Sequence, residues 1–245
     1  MNVLFRHPLG VTLLSALTCV SVLASPTKRQ TLSALTQAQV SSFKPYTYYA
    51  SAAHCPASET LTWSCGVNCQ ANPTFEPVAS GGDGDSEQFW YVGYDPTLRT
   101  VIVGHQGTNT SELLPLLTDG DIVLGNLDST LFPGISSSIG VHEGFREAQA
   151  KSAYNVLSAV QISLSRFGAN HVTLIGHSLG AAIALLDAVY LPLHISGVTY
   201  QTVTYGMPRV GNQDFANYVD AHLTSLNHIN NKLDPIPVRR TFSRS

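Results

Sequence analysis

The alternation of apolar and polar positions divides the chain into strand-like and helix-like stretches. Phe89 to Tyr94 and Thr100 to Gly104 are short β-branched and aromatic runs separated by Asp95-Pro96-Thr97, a spacing that predicts a hairpin. Phe145, Ala153, Val156, Leu157, Val160, Leu164 and Phe167 recur at intervals of three and four, with Arg146, Glu147 and Lys151 between them. That period predicts an amphipathic helix, and Gly168 stops it. Val172 to Ile175 is a strand-length apolar run that Gly176 ends, and a second apolar helix, Leu179 to Leu191, follows almost at once. Val198 to Tyr205, a helix over Gln213 to Leu223 and a strand from Ser225 to Asn230 continue the alternation. Strand and helix succeeding one another in this way predict an α/β fold with a mostly parallel central sheet flanked by helices on both faces. Upstream, Thr31 to Ala53 suits a helix lying over the domain, and Cys55 to Gly84 reads as a turn-rich lead-in to the sheet.

The first residues break the pattern. Arg6 and His7 precede an apolar run, Leu9 to Leu23, that ends in Val22-Leu23-Ala24. This is the layout of a signal peptide, residues 1–24, and the run is shorter than the roughly 20 residues that a membrane span needs. Lys28-Arg29 resembles a dibasic processing site, so 25–29 reads as a short propeptide and 30–245 as one domain. The expectation is a secreted protein with no transmembrane segment. Cysteine use agrees with export: Cys55, Cys65 and Cys69 cluster within fifteen residues, which suggests a local disulfide and leaves one thiol over. A net charge of -3 offers no basic surface for phosphates, which argues against nucleic acid. No metal-ligand motif and no nucleotide-binding glycine loop is present, so no cofactor or metal is implied.

The strongest chemical signal is Gly176-His177-Ser178-Leu179-Gly180, placed between a predicted strand and a predicted helix. A serine in such a turn projects its hydroxyl above the sheet, and small residues must flank it so that strand, helix and neighbouring loop can approach. The helix N-terminus behind it supplies oriented N–H groups where negative charge develops. Ser178 is therefore the candidate nucleophile.

From Phe89 to Val238 the chain resembles the fungal lipase family of α/β-hydrolases, the group that holds triacylglycerol lipases and feruloyl esterases. The resemblance is carried by Gly104-His105-Gln106-Gly107-Thr108, Val141-His142-Glu143-Gly144-Phe145, the Gly176 to Gly180 elbow, Tyr205-Gly206-Met207-Pro208-Arg209-Val210-Gly211-Asn212, and Asn231-Lys232-Leu233-Asp234-Pro235-Ile236-Pro237, in that order. It implies that the backbone N–H groups of Thr108 and Leu179 form an oxyanion hole and that Asp234 is the acid of the triad. Asp234 also follows the elbow in the Ser, Asp, His order of this fold. Asp119, Asp121 and Asp128 precede the serine and are poorer candidates. The resemblance further implies a lid between Thr108 and His142, where Leu113, Leu114, Leu116 and Leu117 form an apolar run that needs either core or lipid to cover it. Asn109-Thr110-Ser111 beside it is a glycosylation sequon.

The family carries its catalytic histidine well beyond the Asp-Pro-Ile-Pro stretch, and no histidine follows Asp234 in this sequence. His105, His142 and His177 match family positions that are not the base, and His228 falls inside a predicted strand. The catalytic histidine is thus not identified, and the domain reads as incomplete at its C-terminus, with a last strand and helix missing. Three functional expectations follow. The first is a secreted triacylglycerol lipase acting through a serine acyl-enzyme on lipid at an oil–water interface. The second is a feruloyl or short-chain esterase on the same scaffold, and the third is a catalytically inactive lipase-like protein.

Overall fold

The computed structural model describes residues 34–108 and 123–231; the expected signal peptide, propeptide, lid leucines and Asp234 lie outside them. The compact unit begins at Gln37. Helices α1 (Gln37–Ser42), α2 (Lys44–Ala52), α3 (Ala57–Leu61) and α4 (Val67–Gln70) precede β1 (Glu76–Gly81), β2 (Trp90–Asp95) and β3 (Thr100–His105). Then come β4 (Leu124–Asn126), β5 (Gly140–His142), α5 (Glu143–Phe167), β6 (His171–His177), α6 (Leu179–His194), β7 (Thr199–Tyr205), α7 (Gln213–His222) and β8 (Leu226–Ile229).

The six-stranded sheet has the order β1-β2-β3-β6-β7-β8, antiparallel from β1 to β3 and parallel from β3 to β8. The expected parallel sheet with helices on both faces is present, and so is the β2–β3 hairpin. The lead-in was misjudged: Cys55 to Gly84 contains two short helices and strand β1, so three strands rather than two open the sheet. The single helix expected over Thr31 to Ala53 is, in its described part, two helices that part at Phe43, with Pro45 in the first turn of the second. The leftover cysteine arithmetic resolves as a Cys65–Cys69 disulfide, with Cys55 as the free thiol.

Period-two alternation sorts the strand side chains between two cores. Val92, Val101, Val103, Val172 and Leu174 face α5 and α6, while Tyr91, Ile102 and Ile175 face α2. Every residue of α6 from Leu179 to Leu191 is buried, and each large aliphatic side chain fully buried there contributes roughly 1.5–3 kcal/mol. On the opposite face the Tyr49 hydroxyl donates to Asp95 Oδ2 at 2.6 Å. Asp95 Oδ1 in turn accepts from the Thr97 and Leu98 backbone N–H groups and closes the hairpin turn.

Helix α5 is bounded at both ends by side-chain or backbone devices. Gly168 ends it in the left-handed region, φ 60°. At its start His142 Nδ1 accepts from Gly144 N–H at 3.1 Å, which only an unprotonated ring nitrogen can do. Burial holds the His142 imidazole below its ordinary range, with Glu143 pulling weakly the other way. Because the folded state resists protonation more than the unfolded chain, the stability of the cap is fully present above about pH 6.5 and is lost as pH falls through the lower folded value. His142→Asn keeps an acceptor without the titration. Its thermal midpoint should therefore fall less than that of the wild type between pH 7 and pH 5, and parallel curves would show that His142 does not couple the helix to pH.

Candidate functional site

The turn from β6 into α6 is held by backbone alone. Ser178 has φ 58° and ψ −122°, a left-handed conformation that costs a non-glycine residue on the order of 1–3 kcal/mol. Its N–H donates to Tyr205 O at 3.0 Å, and its carbonyl accepts from Ala181 N–H at 3.0 Å to open the helix. There is no room for side chains around it. A Cβ on Gly176 would lie 2.1 Å from Gly180 O, and one on Gly180 would lie 2.3 Å from His105 O. One on Gly107 would lie 2.3 Å from His177 O and 3.3 Å from Ser178 Cβ. Strand, helix and the loop after β3 therefore approach closely at this point, and Thr108 follows the residue packed on the His177 carbonyl.

Ser178 is 2 % exposed, and its Oγ has no hydrogen-bond partner among the described residues. A buried hydroxyl in that state normally costs free energy. The N–H of Leu179, at the first position of α6, has no carbonyl a turn behind it within the helix. The positive end of the α6 dipole meets the serine there. A buried hydroxyl beside a helix N-terminus is an arrangement that can pair a nucleophile with an anion cradle, and it lies at the strand-to-helix turn that the sequence pattern predicts. Thr108 is half-buried and follows Gly107 directly, while Asp234 belongs to the residues not described.

The histidines around the elbow are engaged elsewhere. His105 Nε2 lies 2.7 Å from Asp187 Oδ2 on the α6 face of the sheet. The ring of His177 lies on the α2 side, 6.1 Å from that of His54. His142 caps α5. His228 Nδ1 is 3.3 Å from Thr204 Oγ1, and the register sets His228 beside Thr204 and Thr204 beside Gly176. Two strand spacings, about 10 Å, thus separate its backbone from that of the elbow. Asp128, the poorer acid candidate that is described, accepts from Thr130 N–H in an exposed turn. Asp119 and Asp121 lie outside the described residues.

Sequence reasoning missed Asp187 and Gln149. Asp187 Oδ1 accepts from Gln149 Nε2 at 2.9 Å, so both carboxylate oxygens have donors. The available signal was a single carboxylate inside the otherwise apolar run of α6; a lone charge there is buried only when paired. Among the described residues no group of histidine, cysteine and carboxylate side chains could hold a metal ion. Nor is any described helix long and apolar enough to cross a membrane.

A central α/β sheet with a strained serine at a strand-to-helix turn defines the molecule as an α/β-hydrolase. Its family is more specific: the class 3 lipase family model matches residues 102–242, more than half of the chain, and the chain belongs to that family. It is 31 % identical over 180 residues to the secreted mono- and diacylglycerol lipase LIP4 of Malassezia restricta, covering 67 % of this chain and 59 % of that protein. It is 29 % identical over 144 residues to LIP2 of the same organism, covering 58 % of this chain and 45 % of that protein. The chain thus spans about half the length of the curated relatives it matches. Lipase II from Rhizopus niveus superimposes with a TM-score of 0.69 at 27 % identity, covering 83 % of this chain and 75 % of that one. A triacylglycerol lipase structure, at 24 % identity and a TM-score of 0.72, shares the fold over 84 % of this chain and 76 % of that one.

The contact at Gly107 is testable without any substrate. Gly107→Ala forces a methyl group against the His177 carbonyl and should cost about 1–3 kcal/mol of stability. Urea unfolding reads it directly, and an unchanged midpoint would mean that the loop is not clamped to the elbow.

Proposed function

We propose that the chain is a secreted carboxylic ester hydrolase of the lipase kind, acting on acylglycerols through an acyl-enzyme on Ser178. The observation that carries this reading is the unpartnered, buried Ser178 Oγ, held at a strained elbow against a helix N-terminus. Ser178 Oγ attacks the acyl carbonyl and its proton passes to a base. The carbonyl oxygen takes the negative charge in the cradle formed by the Leu179 and Thr108 N–H groups, an arrangement worth several kcal/mol in such sites. Collapse expels the glycerol-side alcohol, and water then releases the fatty acid.

Asp234 is assigned the role of orienting the base, in keeping with its position after the elbow. Among the described residues the base has no candidate, since the histidines near the elbow have the engagements described above. A catalytically inactive lipase-like protein is the second reading, supported by the engagement of His105, His142 and His228 away from Ser178. The lipid surface is proposed from the Leu113, Leu114, Leu116 and Leu117 run, whose downstream neighbours Val123 and Leu124 are 55 % and 44 % exposed. A feruloyl or short-chain esterase is the variant of the first reading in which this run packs on the core.

Hydrolysis of p-nitrophenyl butyrate and p-nitrophenyl palmitate by the full chain, beside Ser178→Ala, separates these readings. Lipase action predicts palmitate turnover that Ser178→Ala removes, and a short-chain esterase predicts turnover of butyrate alone. Turnover no greater than that of the Ser178→Ala chain with either ester would sink the hydrolase reading in favour of the inactive one.

A further inference from the structure

The loop that carries Thr108 leaves the sheet at His105, the last residue of β3 paired on both sides, to Trp90 of β2 and Gly176 of β6. Beyond it the chain is held from two directions. Toward β2, Gln106 N–H donates to Phe89 O at 2.8 Å, and Gln106 Oε1 accepts from Phe89 N–H at 2.7 Å. Toward α6, His105 Nε2 meets Asp187 Oδ2, whose other oxygen is held by Gln149 of α5. Between these ties the backbone rests on Gly180 and Ser178 with no side chain intervening.

Both His105 and Asp187 have side chains only 1 % exposed. They lie among Val101, Val103, Ile183 and Leu186, the apolar core that α6 shares with the sheet. Packing alone would be served as well by two aliphatic side chains, which in other proteins often replace a buried pair without loss of stability. An aliphatic pair lacks direction. A hydrogen bond fixes the azimuth and height of the β3 end relative to the helix whose first N–H is the other oxyanion donor. Burial, with Asp187 beside it, pushes the Tyr190 hydroxyl up to about 12.

We propose that His105 is a positioning residue of the ester-hydrolysis site, anchoring the Gln106–Thr108 loop to α6 through Asp187 so that the Thr108 and Leu179 N–H groups converge on one oxygen. This rests on the hydrolase reading of Ser178. His105 is not the base: its Nε2 is spent on Asp187 beneath the loop, away from solvent. The value of the tie lies in geometry, since a displacement of about 1 Å at a reacting centre costs on the order of 100-fold in rate.

The test uses the full chain and a p-nitrophenyl alkylphosphonate, whose phosphoryl oxygen occupies the oxyanion position. The Ser178 Oγ–P bond forms as the P–O bond to p-nitrophenolate breaks, and the Oγ proton passes to the same base that ester hydrolysis uses. Mass gain on Ser178 gives the rate, and the thermal midpoint is recorded beside it. His105→Phe removes the hydrogen bond and should slow the maximal labelling rate about 10- to 100-fold, with the half-saturating probe concentration unchanged. His105→Gln keeps an N–H donor of similar reach and should stay within about threefold of wild type. His105→Phe combined with Asp187→Leu should regain the midpoint and not the rate. Amide hydrogen exchange at Gln106, Gly107 and Thr108 should rise in His105→Phe whatever the reactivity of Ser178. Unchanged exchange, or a double variant that regains rate together with stability, would reduce His105 to packing and overturn the proposal. A wild-type chain labelled no faster than Ser178→Ala overturns the hydrolase reading and this role with it. Equal labelling of wild type and His105→Phe overturns this role alone.

Discussion

Everything at the candidate site follows from the absence of side chains between three backbone segments. Gly176, Gly180 and Gly107 each face a carbonyl at a distance that no Cβ could share, so β6, α6 and the loop after β3 meet as bare main chain. The left-handed turn at Ser178 is the geometric consequence, because a strand reversing into a helix this close to its neighbour has no room for a gentler path. Its strain of about 1–3 kcal/mol is small beside the burial of α6 along its whole inner length. The helix is apolar around its circumference because it is enclosed by the sheet, α5 and the loop. A surface helix could be amphipathic; one that must drive its N-terminus into a sheet cannot.

The same enclosure explains where polar groups are tolerated. Alternation along β3 sends Val101, Val103 and His105 to the α6 side and Ile102 to the α2 side. His105 can reach α6 only through that parity, and Asp187 stands two helical turns below Leu179 to receive it. Gln149 completes the cluster, with its own Oε1 unpartnered among the described residues. An unpaired acceptor and two desolvated side chains are costly in a core, and they sit beneath the loop whose height sets one oxyanion donor on the proposed reading.

The elements legible in the sequence were those whose ends are set by local chemistry. Gly168 in the left-handed region ends α5 where the periodicity stops, and Gly176 separates β6 from α6. Strand β1 was not legible: it contains Pro77 and Gly81 and carries an irregularity between Pro77 and Ala79. Its side chains are nearly all half-buried, so it has neither alternation nor an apolar run. It is a strand because β2 offers it an edge. The elbow was legible because its glycines and serine are contiguous. The His105–Asp187 pair was not, because its partners are 82 residues apart and each looks ordinary in its own element. Three clustered cysteines announced a disulfide without its pairing, which depends on the turn between Cys65 and Cys69.

On the proposed reading the site divides into parts of unequal rigidity. The nucleophile and the oxyanion donors belong to the sheet, α6 and the clamped loop, and are fixed when the core folds. Proton transfer belongs to Asp234 and to a base that the described residues do not supply. In serine hydrolases these parts contribute separately: with a triad member removed, an oxyanion hole and binding alone still leave about 10³–10⁴-fold over water. The described residues hold the part of the machinery that works by position rather than by titration. Its integrity depends on backbone contacts and one buried hydrogen bond, none of which requires the proton-transfer residues to be in place.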